Sequence, residues 1–347
     1  MKKWIKFLLP FIVGTTPILS SCKSDTRAYI EYGDPFATES KVIELSELRA
    51  KIDNKETFLF IVNTTTCTCW RDFEAVINDF ISKNKVPCYR VEYNNIKEVY
   101  MTFGIQYISK DTTTFVIYEN GEVKQAINSN DHTNIMKDKK EFAKYMSETV
   151  ILPGCYLISK EQYQTIKNSD KNAVIYFLRS ECGDCKAINP GILKKYVAAH
   201  QGANKIYCVD CQPYWRARNA EDYQSYLDTK DELGLSTKNN PTFGYGAGVF
   251  PYFSYIESGA YKSGAVIYND TITQEGNKYV ITESYYSKER VAELSYTKTV
   301  LQGKALRESQ VNIGYGISWK HENADKYYEG ILKSFLDYAL PKVTYTF

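Results

Sequence analysis

Two cysteines three residues apart, Cys182 and Cys185, follow the apolar run Ala173-Val174-Ile175-Tyr176-Phe177-Leu178 and open a stretch of helical character. A thiol at a helix N-terminus meets free backbone N–H groups and the positive end of the helix dipole, and both favour the thiolate. A second thiol one turn later lies on the same helix face, within disulfide reach. Such a pair attacks a foreign disulfide with its first sulfur and resolves the mixed disulfide with its second. A second candidate is Cys67-Thr68-Cys69-Trp70, which follows the apolar run Thr57 to Val62. A disulfide between Cys67 and Cys69 closes a small, strained ring, and strained disulfides are more oxidising. Trp70 occupies the position three residues after Cys67. Two readings are open for this turn: an unusual redox pair, or a degenerate site kept for packing or partner binding.

The remaining cysteines admit other chemistry. Cys208-Val209-Asp210-Cys211 repeats the spacing of Cys182 and Cys185, and two such pairs can hold zinc. Cys208, however, falls inside a predicted strand and Cys211 at its end, so their side chains should diverge. The three histidines, His132, His200 and His321, have no ligand-like spacing. No metal and no dissociable cofactor is expected. Cys155 and Cys208 fall on strands that could be neighbours, which leaves a structural disulfide open. Cys88 has apolar flanks and reads as a buried thiol; Cys211, near the site end of its strand, could be a third redox cysteine.

The elements that must position these residues come in a repeated order. In the first half, the strand Thr57 to Val62 leads to a helix carrying Phe73, Val76, Ile77, Phe80 and Ile81 at helical spacing. A strand over Val86 to Tyr93, a helix ending near Phe103, a strand over Phe115 to Tyr118, the turn Glu119 to Glu122 and a helix over Asp138 to Ser147 follow. In the second half the strand Ala173 to Leu178 precedes a helix from Cys185 to about His200. Next come a strand over Lys205 to Asp210, a helix over Asp222 to Glu232, a strand over Tyr252 to Ile256, a turn at Glu257 to Gly259 and a last helix over Ala324 to Leu340. Ser236 to Val249 and about 268–323 do not fit this order and read as insertions; Leu294 to Leu306 has helical character.

This order resembles the thioredoxin fold, and several residues strengthen the likeness. Lys186 follows the second cysteine, Pro190 falls where the family keeps a helix-kinking proline, and Asp210 ends the next strand. Phe250-Pro251-Tyr252 falls where the family places its cis-proline loop; Pro241-Thr242 competes, but the strand begins directly after Pro251. The resemblance implies an α/β fold of two tandem thioredoxin-like domains, each a mixed central sheet flanked by helices, the second with a long insertion. It implies that Cys182 is the nucleophile, Cys185 the resolving thiol and Pro251 part of the substrate groove. Three departures stand out. Tyr176 replaces the buried acid of the preceding strand, Glu181 replaces the preceding tryptophan, and Asp184 replaces the intervening proline. Glu181 and Asp184 should raise the pKa of Cys182, while the helix terminus and Arg179 should lower it. In the first half, Thr113 falls at the cis-proline position.

The first 22 residues read as a targeting segment: Lys2, Lys3 and Lys6, an apolar run from Phe7 to Leu19 broken by Pro10 and Pro17, and Leu19-Ser20-Ser21-Cys22. The run is too short for a comfortable membrane span. Its end resembles the bacterial lipobox, which implies lipidation at Cys22, and a two-chain lipid suffices for stable anchoring. Residues 23–39 are polar and read as a tether, 40–150 as the first domain and 151–347 as the second, with the insertion at about 268–323. The chain of 347 residues carries a net charge of +2, which lends no support to a nucleic-acid role. The expectation is a membrane-anchored thiol–disulfide oxidoreductase on the extracytoplasmic face of the cell membrane. Its partners would be exported proteins with thiols or disulfides and a redox partner that the sequence does not identify. The alternative is a non-catalytic surface lipoprotein that uses thioredoxin folds as a partner-binding scaffold.

Overall fold

The computed structural model describes residues 25–96, 103–105, 108–202, 205–214, 220–235, 250–266, 271–275, 278–282, 299–302 and 324–347. The targeting segment with Cys22, the stretch 236–249 that includes Pro241, and most of 268–323 lie outside the described residues. The first layer of structure is a five-stranded sheet in the order β3-β5-β4-β6-β7. Its strands are β3 (Lys41–Val42), β4 (Phe58–Asn63), β5 (Cys88–Glu92), β6 (Thr114–Glu119) and β7 (Glu122–Asn128). The helices of this half are α1 (Leu45–Asp53), α2 (Thr68–Asn84), α3 (Tyr93–Ile96), α4 (Thr133–Lys137) and α5 (Lys139–Thr149). All six residues of β4 are buried, because helices cover both sheet faces. Leu59 and Ile61 pack with Phe73, Ile77 and Phe142 of α2 and α5. Phe58, Phe60 and Val62 pack with Leu48 and Ile96 of α1 and α3 on the other face. A fully buried side chain of this kind stabilises the fold by about 1.5–3 kcal/mol.

The second sheet has six strands in the order β13-β12-β10-β11-β9-β2. They are β2 (Tyr32–Gly33), β9 (Cys155–Leu157), β10 (Ala173–Leu178), β11 (Ile206–Asp210), β12 (Tyr252–Glu257) and β13 (Ala260–Val266). β10 is parallel to β11 and antiparallel to β12, as β4 is to β5 and β6. With β2 set aside, the two sheets therefore share one strand order. The helices are α6 (Lys160–Lys167), α7 (Gly183–Lys186), α8 (Leu193–Ala199), α9 (Ala220–Glu232) and α10 (Ala324–Ala339). Between α7 and α8 the backbone passes through a π turn over Ala187–Ile192, broken by Asn189 at φ −121°, ψ 117°. Pro190 supplies the cause, since it removes a donor and pushes its predecessor out of helical backbone.

Two expectations need correction. Residues 23–39 are not simply a polar tether. Ala28–Tyr29 form β1, parallel to β8 (Val150–Ile151), and β2 runs parallel to β9 at the edge of the second sheet. Ala28 and Ile30 enter the core of the first half, whereas Tyr32 packs against that of the second. The residues that read as polar flank an alternating apolar set, and that set does the packing. Within Leu294 to Leu306, Thr299–Gln302 form a strand, β16, not a helix. It pairs with β15 (Lys278–Thr282), which pairs with β14 (Thr271–Glu275). The β-branched Thr299 and Val300 suit that pleated ladder. Among the described residues, no helix is long and apolar enough to cross a membrane.

Candidate functional site

β10 carries the chain to its C-terminal edge, and Cys182 there caps α7 with extended backbone. Leu178 O accepts a hydrogen bond from Cys211 N, while Asp210 Oδ1 accepts from Ser180 N at 3.1 Å and from Gln212 N at 2.9 Å. The turn that presents Cys182 is thus tied to the end of β11. Cys182 is half-buried and Cys185 is 4% exposed; both are free thiols. The backbone N–H of Arg179 donates to Cys185 Sγ at 3.4 Å. Cys182 Sγ lies 3.9 Å from the carbonyl oxygen of Phe250 and 3.9 Å from Asp184 Oδ2. Phe250-Pro251 is a cis peptide, and β12 begins directly after it.

The two thiols differ in proton affinity. Cys182 is lowered from the usual thiol range to about 6, chiefly by a hydrogen bond from the Cys185 thiol. Burial opposes this shift, the backbone N–H groups of Cys185 and Asp184 add to it, and the Asp184 carboxylate opposes it last. Cys185 is held far above the ordinary thiol range, first by the same hydrogen bond and then by burial. Asp184 therefore acts as its charge requires but is outweighed. The Glu181 carboxylate accepts from Gln212 Nε2, whose amide oxygen in turn accepts from Arg179 Nε. Gln212 thus links the two side chains within the turn.

The turn after β4 places Cys67 at the N-cap of α2, and Cys67 and Cys69 form a disulfide with their Cα atoms 5.2 Å apart. Thr113 Oγ1 lies 3.5 Å from Cys69 Sγ, and Asp111 O lies 3.8 Å from Cys67 Sγ. Trp70 is buried with the Arg90 guanidinium over its ring at 5.4 Å. Asn63, at the end of β4, is fully buried with neither amide atom hydrogen-bonded.

The other cysteines are buried. Cys155 and Cys208 sit on adjacent strands as free thiols in side-chain contact, and burial pushes Cys208 far up. Cys88 is likewise pushed up by burial. Cys211 is raised to about 12 by burial. It lies on the Tyr163 side of the sheet, across from the face that packs Cys185. Cys208 and Cys211 each turn toward their own strand's backbone, at Ile206 O and Val209 O. Among the described residues no group of three His, Cys, Asp or Glu side chains is placed to hold a metal. The sequence reading missed Tyr32, which reaches Asn189 from β2. An aromatic residue in a polar stretch was the only available signal.

No family model matches the chain. No curated protein matches it either. Solved structures similar to it are thioredoxin-fold proteins. Thioredoxin from Trypanosoma brucei brucei is 12% identical over 32% of this chain and 93% of its own, with a TM-score of 0.25. Thioredoxin NaTrxh from Nicotiana alata is 20% identical over 31% of this chain and 91% of its own, with a TM-score of 0.24. Human ERp44 form I is 11% identical over 64% of this chain and 49% of its own, so the match spans about half of that protein, with a TM-score of 0.34.

Proposed function

We propose that this protein is a membrane-anchored thiol–disulfide oxidoreductase acting on exported proteins at the extracytoplasmic face of the cell membrane. In this reading it consists of two tandem thioredoxin-like units, residues 40–150 and 151–347, and Cys22 bears the lipid. The observation that carries the reading is the unequal thiol pair. Cys182 is accessible and poised near pKa 6, while Cys185 is buried, protonated and in hydrogen-bond contact with it. The Cys182 thiolate attacks one sulfur of a substrate disulfide. A new S–S bond forms, the old one breaks, and the released sulfur takes up a proton. Cys185 then attacks Cys182, releasing the second substrate sulfur as a thiol. Two electrons and two protons have passed to the substrate, and Cys182 and Cys185 end as a disulfide; the reverse sequence oxidises a dithiol. The Phe250-Pro251 backbone beside Cys182 would receive the extended substrate chain.

Expressing Cys185→Ser in cells should accumulate mixed disulfides with partners, identifiable by mass spectrometry after non-reducing separation. Cys182→Ser should form none, and retention of disulfide exchange by that variant would sink the reading. Metabolic palmitate labelling lost in Cys22→Ala tests the anchor separately. A second reading, a surface scaffold that binds partners, draws support from Trp70, which fills the resolving position of the first unit with a buried ring. A Cys182/Cys185 disulfide potential below about −300 mV would favour that scaffold.

A further inference from the structure

Beneath the redox helix lies a polar cluster in an otherwise apolar core. Tyr176 of β10 pairs in register with Cys208 of β11, and Tyr32 of β2 pairs with Cys155 of β9. Side chains on one sheet face recur every second residue, so these four share the face covered by the redox helix and α10. Asn189, 4% exposed, comes down from the break in that helix to meet Tyr32. Tyr176 is fully buried, and its ring is held by stacking on Phe253 at 4.2 Å and 3° between planes. Its hydroxyl is near enough to Cys185 to favour the thiolate of that residue, but in the resting state it closes to full hydrogen-bond distance with no group. Leaving a buried hydroxyl unpaired costs about 1–3 kcal/mol. Phenylalanine at this position would avoid that cost and keep the stack.

We propose that Tyr176 is a preorganised hydrogen-bond donor for the Cys185 thiolate, engaged only while Cys185 resolves a mixed disulfide. This rests on the oxidoreductase reading above. In the resting state Cys185 carries its own proton and needs no donor. During resolution the Cys185 thiol gives its proton to the departing substrate sulfur as the Cys185–Cys182 bond forms and the Cys182–substrate bond breaks. Negative charge passes over Cys185 in a site closed to water, and a fixed O–H directed there lowers the barrier. Tyr176 is not a base in this scheme, since burial holds its phenol far above the ordinary range and keeps it protonated. The titratable groups facing its hydroxyl are Cys185, Tyr32, Cys208 and Cys155, and Cys182 and the Arg179 backbone N–H face Cys185.

The test uses Tyr176→Phe in the full chain. With a Cys182-linked mixed disulfide preloaded from a small aromatic disulfide, release of the aromatic thiol measures resolution alone. Release should slow by about 10²-fold, the lower end of the range that loss of one such donor produces. Alkylation of Cys182 should keep its wild-type pH profile. In a Cys182→Ala background, Tyr176→Phe should also move the pH midpoint of Cys185 alkylation upward, a readout that core packing does not mimic. Unchanged release and an unchanged Cys185 midpoint overturn the proposal. Failure of the wild-type protein to accept the aromatic disulfide at Cys182 instead overturns the oxidoreductase reading on which it rests.

Discussion

The turns at Cys67 and at Cys182 stand at equivalent places in two sheets of the same strand order, yet they hold sulfur in opposite ways. At Cys182 the two sulfurs are free, one half-exposed and the other buried beneath it. At Cys67 both sulfurs are joined within one turn, and the buried position below is taken by Trp70 and Arg90. The loop before the antiparallel neighbour of the central strand approaches both: Phe250 O at Cys182, and Asp111 O with Thr113 at Cys67 and Cys69. A common backbone therefore delivers a sulfur to a carbonyl in each half, but the resolving position holds the buried thiol of Cys185 in the second and the ring of Trp70 in the first. Resolution chemistry depends on that buried thiol, so fold alone does not carry the function across.

The largest effect follows directly. Cys182→Ser should remove disulfide exchange altogether, a fall of at least about 10³-fold, because a serine hydroxyl cannot form the sulfur–sulfur intermediate. Cys67→Ser should leave exchange at Cys182 intact. A stopped-flow assay with a fluorescent disulfide substrate reads both, and equal losses would mean that the two turns work as one relay.

The next effect tests a feature the halves share. Each sheet closes with a tight hairpin whose second turn residue is glycine at positive φ, Gly121 at 79° and Gly259 at 76°. A Cβ at either would fall 2.3 Å from a carbonyl oxygen, that of Ile52 or of Lys167, near the end of the helix that precedes the central strand. Left-handed backbone and a backbone clash add, so Gly121→Ala and Gly259→Ala should each cost about 2–4 kcal/mol in chemical denaturation. A large loss at one and none at the other would break the equivalence of the halves.

How much of this could be read beforehand depends on the kind of signal. The runs at β4 and β10 were legible because burial on both faces demands unbroken apolar sequence. The hairpins were legible from Asn120-Gly121 and Ser258-Gly259, whose residue types permit positive φ. Cys182 and Cys185 were legible from spacing. The N-terminal strands were not, since two-residue strands carry no periodicity and Tyr32 resembles the many tyrosines around it. The balance of charges on Cys182 was also hidden. Glu181 and Arg179 are near it in sequence, but both hydrogen-bond to Gln212, which comes from beyond the end of another strand.

A smaller effect sharpens the contrast at the thiols. Since the Cys185 thiol is the chief cause of the lowered Cys182 pKa, Cys185→Ala should raise the midpoint of Cys182 alkylation from about 6 by a unit or more. Cys185→Ser retains a donor and should stay near the wild type. The sign is fixed by which form the donor favours: a hydrogen bond to the thiolate stabilises it, so its loss returns the proton to sulfur at higher pH. Iodoacetamide rates between pH 5 and 9, as about one-unit steps, decide it.

The smallest effect compares the helices that precede the two central strands. Ser159 caps α6 in both directions: its hydroxyl accepts from Gln162 N at 3.2 Å, and Gln162 Oε1 accepts from Ser159 N at 2.6 Å. α1 carries a looser box: Glu47 Oε2 accepts from Glu44 N at 3.1 Å, and the Glu44 side chain faces the Glu47 N–H without closing to a full hydrogen bond. Ser159→Ala leaves a first-turn N–H without its side-chain acceptor and should cost about 1 kcal/mol, as such replacements do. Glu44→Ala removes only that looser arm and should cost less than Ser159→Ala. Urea midpoints of the two variants, at constant slope, measure this difference. Equal losses that added salt does not reduce would show that the looser arm at α1 caps as fully as the Ser159 hydroxyl; losses that salt reduces would assign the effect to the helix dipole.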